Sequence, residues 1–158
     1  MKELLYAAGM AVFLASVVVA YADGAGDPAG IRMLHDYPLT MDKVKHFDAA
    51  ITSFRAASKS DPSLMAEGEK MGTEPQGTLA DVIAIFDRHP RVYAFYARQG
   101  LAKTDAAALP IALMDACMVV QHPQIASRMA GRVSPSQTEF CKVHLAELKT
   151  MKFFSRGH

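Results

Sequence analysis

Histidine is the residue type of this chain best suited to holding a metal ion, and it occurs six times. No two histidines have the i, i+4 spacing that places both imidazoles on one face of a helix, as in the HExxH motif. His89 and His122 each precede a proline at a predicted helix end, where an imidazole commonly bonds free carbonyl groups. We therefore expect no metal site. The histidines are His35, His46, His89, His122, His144 and His158.

The segment Cys141-Lys142-Val143-His144 brings a cysteine and a histidine together, but it does not fit the haem-attachment motif. That motif is C-x-x-C-H, so we expect no covalent haem and no other cofactor. Nucleophilic catalysis requires a nucleophile beside an oriented base, and the chain has neither a GxSxG elbow nor an SxxK motif. These patterns favour a protein that is not an enzyme.

Asp115 is the only charged residue in AAALPIALMDACMVV, the most hydrophobic stretch after the N-terminal apolar run. A carboxylate in such a segment must be paired, protonated or exposed at a functional surface, because burying a bare charge is costly. We favour a buried partner such as an arginine or lysine. Exposure at an interface and a catalytic role are the alternatives.

Tyr93 and Tyr96 lie close in sequence to Arg91 and Arg98. Tyrosine combines an apolar ring with a polar hydroxyl, so it suits both interfaces and half-buried positions. The group therefore predicts either a patch that faces a partner or ordinary half-buried packing, with the packing slightly favoured.

Cys117 and Cys141 are the only cysteines of the chain. In an exported protein an even pair is first interpreted as a disulfide. If helices over 105–121 and 135–152 are antiparallel neighbours, a rise of about 1.5 Å per residue brings the two cysteines to similar heights. We therefore predict a Cys117–Cys141 disulfide. The alternative is two buried, inert thiols.

The location of the protein depends on Leu4 to Ala22, nineteen residues without a charge. Ala20-Tyr21-Ala22 fits the small-x-small pattern of a cleaved secretory signal, which would leave Asp23 as the new terminus. However, the run exceeds the roughly 7 to 15 apolar residues of a signal core and approaches the ~20 that cross a bilayer. We favour retention of residues 1–22 as a membrane anchor over their removal as a signal peptide. Lys2 then places the N-terminus in the cytoplasm and the rest of the chain in the periplasm.

Ala7, Ala11 and Ala15 recur every four residues within this apolar run. Small residues at this spacing form a smooth stripe against which another membrane helix can pack closely. The stripe predicts a protein partner in the membrane. If the run is cleaved instead, the protein is secreted to the periplasm.

The rest of the chain has the length of one ordinary domain, since about 136 residues are enough to bury a core. Seventeen Lys plus Arg against sixteen Asp plus Glu give a net charge of +1. Without a basic stripe, nothing favours a nucleic-acid partner. We divide this part into a flexible tether over 23–38, whose last residues lie against the domain, and a periplasmic helical domain over 39–158.

Apolar residues at spacings of three and four, together with capping residues, predict helices and no strand. Thr40, Asp61-Pro62 and Thr78 predict helix starts, and Ser134 to Gln137 provides a capping box. The helix over 105–121, apolar almost all round, should be the buried centre. The architecture is a compact all-α bundle of five or six helices preceded by an N-terminal hydrophobic helix. The predicted spans are about 41–59, 62–71, 79–88, 90–99, 105–121 and 135–152, with one further helical turn in 123–133 and fraying at 153–154.

With this pattern, the chain from about residue 39 resembles small exported helical-bundle proteins of bacteria whose function is unknown. The resemblance implies an exported helical domain and carries over no activity and no active site. The residues that carry it are Leu39-Thr40, Gly100-Leu101 before a helix, and Ser134 to Leu148 with Phe140, His144 and Glu147-Leu148.

Together these observations favour a non-enzymatic, membrane-anchored periplasmic bundle. We expect it to act as an accessory or binding subunit of a larger envelope membrane complex, such as an electron-transfer or light-harvesting one. The competing interpretation is a cleaved, soluble periplasmic protein that binds a small apolar ligand or noncovalent haem between its helices. A hydrolase that uses acidic residues is the least favoured class.

Overall fold

The computed structural model describes residues 27–154, which form eight α-helices and no strand. The predicted all-α class is therefore confirmed, but the predicted count of five or six helices is wrong: the helix over 28–36 is not expected from the sequence, and the helical turn expected within 123–133 forms a short helix of its own. In chain order the helices are α1 (Pro28–Asp36), α2 (Met41–Ser58), α3 (Pro62–Thr73), α4 (Leu79–Arg88), α5 (Pro90–Arg98), α6 (Lys103–Gln121), α7 (Ala126–Met129) and α8 (Pro135–Leu148). A 3₁₀ turn at Pro123–Ile125 joins α6 to α7.

Helix α6 is the centre of the bundle. It contacts α1, α2, α4, α5 and α8, and its contact with α8 is the most extensive in the described chain. Many of its buried residues are alanines, which let the neighbouring helices approach closely. By length and composition α6 could cross a membrane, but most of it is buried by the other helices. This burial is typical of the core helix of a bundle and confirms the predicted central position.

The helix starts follow the predicted capping residues. The side chains of Thr40 and Asp61 accept hydrogen bonds from backbone amides in the first turns of α2 and α3. Thr78 closes a capping box at the start of α4, and Ser134 does so at α8, each with the residue three positions further on. Each cap satisfies an amide that the helix itself cannot, which stabilises by about 1 kcal/mol.

A glycine in the left-handed conformation ends α5. Gly100 has a φ of 74°. Its amide donates to the carbonyl of Ala97 at 3.0 Å, and the amide of Leu101 donates to the carbonyl of Tyr96 at 3.1 Å. This pair of bonds is a Schellman motif, which glycine adopts without the steric cost of a Cβ. The chain reverses here, so α6 can begin at once and lie against α5.

Helix α1 lies within the residues that were expected to form a flexible tether, so that prediction is wrong for this part of the chain. The sequence predicts a flexible tether over 23–38, but Pro28–Asp36 form a helix that packs on α6. Asp27 caps this helix by accepting from the amide of Gly30 at 2.9 Å, and Leu34 is fully buried. Aspartate followed by proline is a helix-start signal. This signal was outweighed in the prediction by the surrounding glycines, which indicate a flexible segment.

The side chain of Gln137 holds α1 in place. Its Nε2 donates to the carbonyls of Leu34 at 2.6 Å and Tyr37 at 2.9 Å, and its Oε1 accepts from the amide of Ser134 at 3.0 Å. Gln137 is 1% exposed. One buried amide therefore closes the capping box of α8 and also satisfies two carbonyls at the end of α1.

The last described residues pack on the bundle. Helix α8 ends at Leu148, and Phe153 further along is 8% exposed. The ring of Phe153 meets that of Phe47 edge to face with centroids 5.2 Å apart, and its amide donates to Asp48 at 2.7 Å. The predicted extension of the helix to 152 and the fraying at Phe153 are therefore wrong.

Residues 1–26 and 155–158 lie outside the described part of the chain. The predicted apolar helix at Leu4 to Ala22 and its stripe of Ala7, Ala11 and Ala15 fall there. The described residues do not test these two predictions.

Candidate functional site

In the described part of the chain, a dense group of titratable side chains lies where α3 meets the junction of α4 and α5. His89 is both the C-cap of α4 and the N-cap of α5, and Pro90 follows it. Proline ends α4 because it has no amide to donate, and it suits the first position of α5. His89 is thus fixed at a corner and is 3% exposed. We call the group the His89 cluster; it consists of Asp61, Glu67, Glu74, Arg88, His89 and Arg91.

Both ring nitrogens of His89 face carboxylates. Nε2 donates to Oε1 of Glu74 at 2.5 Å, and Nδ1 lies 3.8 Å from Oε1 of Glu67. The other oxygen of Glu74 accepts from Nε of Arg88 at 2.8 Å and from a terminal guanidinium nitrogen at 2.5 Å. The two carboxylates come from α3 and its C-cap, so the imidazole links that helix to α4 and α5.

Arg91 extends the cluster to solvent. It donates to Asp61 at 2.6 Å and to the hydroxyl of Ser63 at 3.1 Å, and it lies 3.5 Å from Glu67. The side chains of Arg91 and Asp61 are 50% and 40% exposed. Exposed pairs contribute little to stability. The cluster therefore has a buried end at His89 and a solvated end at Arg91.

The charge state of Glu74 follows from its donors. The hydrogen bond from His89 holds the pKa of Glu74 below its ordinary value, and the bonds and charge of Arg88 act in the same direction, while partial burial opposes them. Glu74 is therefore ionised at neutral pH and acts as the acceptor for both neighbours. Because the imidazole is covered, this geometry suits a structural link between helices rather than contact with a substrate.

Sequence patterns do not reveal this cluster. At His89 they predict an imidazole that bonds free carbonyls at a helix end, whereas the side chain bonds the carboxylate of Glu74. The sequence does contain one indication of the cluster, which is charge complementarity. Three acidic residues of 61–74 pair with the two arginines that flank His89. Pairing them requires knowing that α3 packs against α5, which local patterns do not reveal.

Asp115 is another buried titratable group, and it lies outside the His89 cluster. Its Oδ2 accepts from Nε of Arg132 at 2.6 Å, and the two side chains are 3% and 12% exposed, respectively. Burial raises the pKa of Asp115 to about 6, although the charge and hydrogen bond of Arg132 oppose the rise. Asp115 thus has the kind of buried cationic partner that the sequence favoured. It exposes almost no surface for the alternative role at an interface.

Cys117 and Cys141 lie at disulfide distance, with Cα atoms 5.4 Å apart. Cys117 is on α6 and Cys141 on α8, and both are buried, at 1% and 0% exposure. This separation is ordinary for a disulfide. The bond joins the two most extensively packed helices and closes the segment that carries Arg132.

Tyr93 and Tyr96, predicted as a partner-facing patch or as half-buried packing, occupy different environments. Tyr96 is 2% exposed, and its ring packs on those of Phe47 and Phe86 with centroids 5.4 Å apart in each case. Tyr93 is partly exposed, and its hydroxyl donates to the carbonyl of Leu101 at 3.2 Å. Tyr96 therefore offers no surface to a partner. A role for Tyr93 at an interface stays a prediction.

Gln76, in the loop between α3 and α4, is buried at 6% exposure. Neither its amide nitrogen nor its amide oxygen has a hydrogen-bond partner. A buried amide in this state costs about 1–3 kcal/mol. The burial of the Gln76 amide therefore lowers the stability of the fold.

Within residues 27–154, no group of three or more His, Cys, Asp or Glu side chains is arranged to hold a metal ion. Comparison of the chain with protein-family models, with curated proteins and with solved structures finds no significant match. The resemblance to exported bacterial helical-bundle proteins therefore stays an expectation from the sequence.

Proposed function

We propose that this chain is a membrane-anchored periplasmic helical domain that acts, without catalysis, as an accessory or binding subunit of a larger envelope membrane complex. The complex would be of the electron-transfer or light-harvesting kind. In this proposal Leu4 to Ala22 is retained as the anchor and packs against a partner helix, and residues 27–154 form the domain outside the membrane.

The observation that carries the proposal is the pairing of Cys117 with Cys141. Disulfides persist in oxidising compartments such as the periplasm and are rare in the cytosol. Both cysteines are in the interior. A pair so placed, after an apolar N-terminal run, supports export of the domain.

The positions of the best acid–base candidates support a non-catalytic role. His89 and Asp115 are covered and bonded to charged partners. Asp105 accepts from the hydroxyl of Tyr37 at 2.7 Å and from Nζ of Lys43 at 2.8 Å, and so joins α6 to α2. A general acid or base must reach its substrate. These groups instead connect elements of the fold.

Purification of the tagged full chain from its native membrane in mild detergent tests the proposal. We expect a membrane protein to copurify in fixed stoichiometry. A clean monomer from the membrane fraction would contradict the subunit role. A visible absorption band from bound haem or pigment in a soluble, cleaved form would instead support the competing ligand-binding function.

A pair of variants tests the packing stripe in the same preparation. Leucines at Ala7, Ala11 and Ala15 should release the partner while the chain stays in the membrane, because larger side chains prevent close helix approach. Leucines at Gly9, Ser16 and Ala20, which a period of 3.6 residues places on the side opposite the stripe, are the matched control and should retain it. Release in both variants, or in neither, would show that the stripe does not hold the partner.

A further inference from the structure

Helix α1 has an outer face that no described element covers. We define this face by Pro28, Ala29, Arg32, Met33 and Asp36, which line a shallow concave surface. All five residues are exposed. Met33, at 44% exposure, is one of two large apolar side chains that remain exposed in residues 27–154, and the other is Val143 on α8.

The outer face of α1 is held rigidly with respect to the rest of the domain. On the opposite side of the helix Leu34 is fully buried. The end of α1 is fixed by the two hydrogen bonds from Gln137 and, just beyond it, by the bond from Tyr37 to Asp105. Any surface that meets the outer face therefore meets the whole domain in one orientation.

The chain that precedes α1 limits how far this face can lie from the membrane. The apolar run ends at Ala22, and only residues 23–27 separate it from Pro28. Five residues span at most about 18 Å when fully extended. Helix α1, with nine residues, is itself only about 13 Å long at 1.5 Å per residue. If the apolar run stays in the bilayer, α1 therefore begins within about 18 Å of the lipid surface, and the outer face is within reach of it.

We propose that the outer face of α1 docks on the phospholipid surface, with Met33 entering the boundary between headgroups and acyl chains and Arg32 bonding lipid phosphate. This inference rests on the proposed function, because it requires the apolar run to be retained. Amphipathic surfaces bind at this boundary through an apolar side chain and a basic one, and an arginine guanidinium matches phosphate geometry.

Because the anchor holds the domain near the bilayer, a contact through only two side chains is sufficient for docking. One methionine and one arginine would bind a free domain to lipid only weakly. A short connection to a membrane helix converts this contact into an intramolecular one with a high effective concentration. The docked face then sets the orientation in which the domain meets a partner complex.

Fluorescence quenching in vesicles tests the proposal. The full chain is reconstituted in vesicles of phosphatidylethanolamine with phosphatidylglycerol, with a fluorophore on Ala29→Cys, which leaves Met33 and Arg32 in place, or, as the matched control, on Val143→Cys. Both positions are exposed, and the native cysteines are paired and buried. A nitroxide on the lipid headgroup should quench the label at position 29 several times more strongly than the label at position 143.

A second labelled pair tests the chemistry of the contact. With the fluorophore on Ala29→Cys, the further changes Met33→Glu and Arg32→Glu should each reduce quenching, because they remove the apolar insertion and the phosphate contact. Both changes are at exposed positions, so the fold is retained. Unchanged quenching in both variants would overturn the proposal.

Flotation of the same vesicles distinguishes failure of the docking from failure of the membrane anchor. Protein that floats but shows equal quenching at positions 29 and 143 overturns the docking and leaves the anchor intact. Protein that does not float overturns the anchored function itself. If the label at position 29 is not quenched but shows energy transfer between labelled chains, a second copy covers the face, which also overturns docking on lipid.

Discussion

Glu74 and Asp115 each bond an arginine at nearly the same distance, yet their pKa values are shifted in opposite directions. The guanidinium of Arg88 lies 2.5 Å from Glu74, and that of Arg132 lies 2.6 Å from Asp115. The pKa of Glu74 is lowered, whereas the pKa of Asp115 is raised to about 6. The side chain of Glu74 is 17% exposed and that of Asp115 is 3% exposed.

The difference shows that the direction of a carboxylate's pKa shift depends on the balance between its desolvation and all of its donors, and not on the presence of one cation. At Asp115, burial outweighs one arginine. At Glu74, the hydrogen bond from His89 outweighs a smaller burial, and Arg88 adds to it. Substitutions of these groups, of their neighbours and of one buried amide test this balance, in order of decreasing expected effect.

The largest effect is expected from Arg132→Met. It leaves the carboxylate of Asp115 buried without its guanidinium, which typically costs about 3–5 kcal/mol. Urea unfolding followed by circular dichroism at neutral pH measures the loss. The double variant Arg132→Met with Asp115→Leu should recover most of it, since an apolar pair can replace a buried ion pair. Equal losses in the single and double variants would mean that packing, and not charge, is responsible.

The second effect is the pH dependence from Asp115. Its pKa is about 6 in the folded state against an ordinary value of 3.8, so the fold favours the protonated form. This contribution, about 3 kcal/mol for a shift of roughly two units, is complete below about pH 4 and is lost as pH rises through about 6. Asp115→Asn should remove that slope from a plot of unfolding free energy against pH. A slope identical in wild type and variant would refute the assignment.

The third effect is expected from His89→Gln. It weakens the main donor to Glu74, so we expect a loss of about 1–3 kcal/mol, in the range for hydrogen bonds to charged groups. Because the pKa of Glu74 is lowered, its contribution is present above its ordinary value of 4.5 and is lost as pH falls through the folded pKa. The variant should reduce this loss on the acid side.

Arg91→Gln, at the solvated end of the same cluster, is the matched control for His89→Gln. The side chain of Arg91 is 50% exposed, so its ion pairs are screened by water, and the change should cost under about 1 kcal/mol. A larger loss for Arg91→Gln than for His89→Gln would reverse the order that burial predicts.

The smallest effect is a gain from Gln76→Met. The substitution removes a buried amide that has no hydrogen-bond partner, and we expect stabilisation of about 1 kcal/mol. Gln137→Met is the control, because it removes three hydrogen bonds and should destabilise. Thermal unfolding of both variants gives the signs. Destabilisation by Gln76→Met would show that its amide has a partner in solution, such as a bound water.

The predictable part of the fold is the part that local chemistry determines. Thr40, Asp61, Thr78 and Ser134 cap helices where the sequence predicts them, because each bonds an amide two or three residues away. The central helix was predictable from its composition alone.

The parts that sequence reasoning missed depend on contacts between distant residues. Helix α1 is fixed by the amide of Gln137, which reaches Leu34 from a position 103 residues further along the chain. The His89 cluster forms only when α3 lies against α5. For Asp115 the sequence predicted the kind of partner but could not choose Arg132 among the seventeen lysines and arginines, because that choice depends on the path of the chain after α6.

The most direct test of the central claim is the intact mass of the protein from its native membrane fraction, measured before and after reduction. The account predicts a chain that begins at Met1 and gains the mass of two hydrogens on reduction, as expected for an anchored, exported domain with a Cys117–Cys141 disulfide. A chain that begins at Asp23, or one whose mass does not change on reduction, would contradict it.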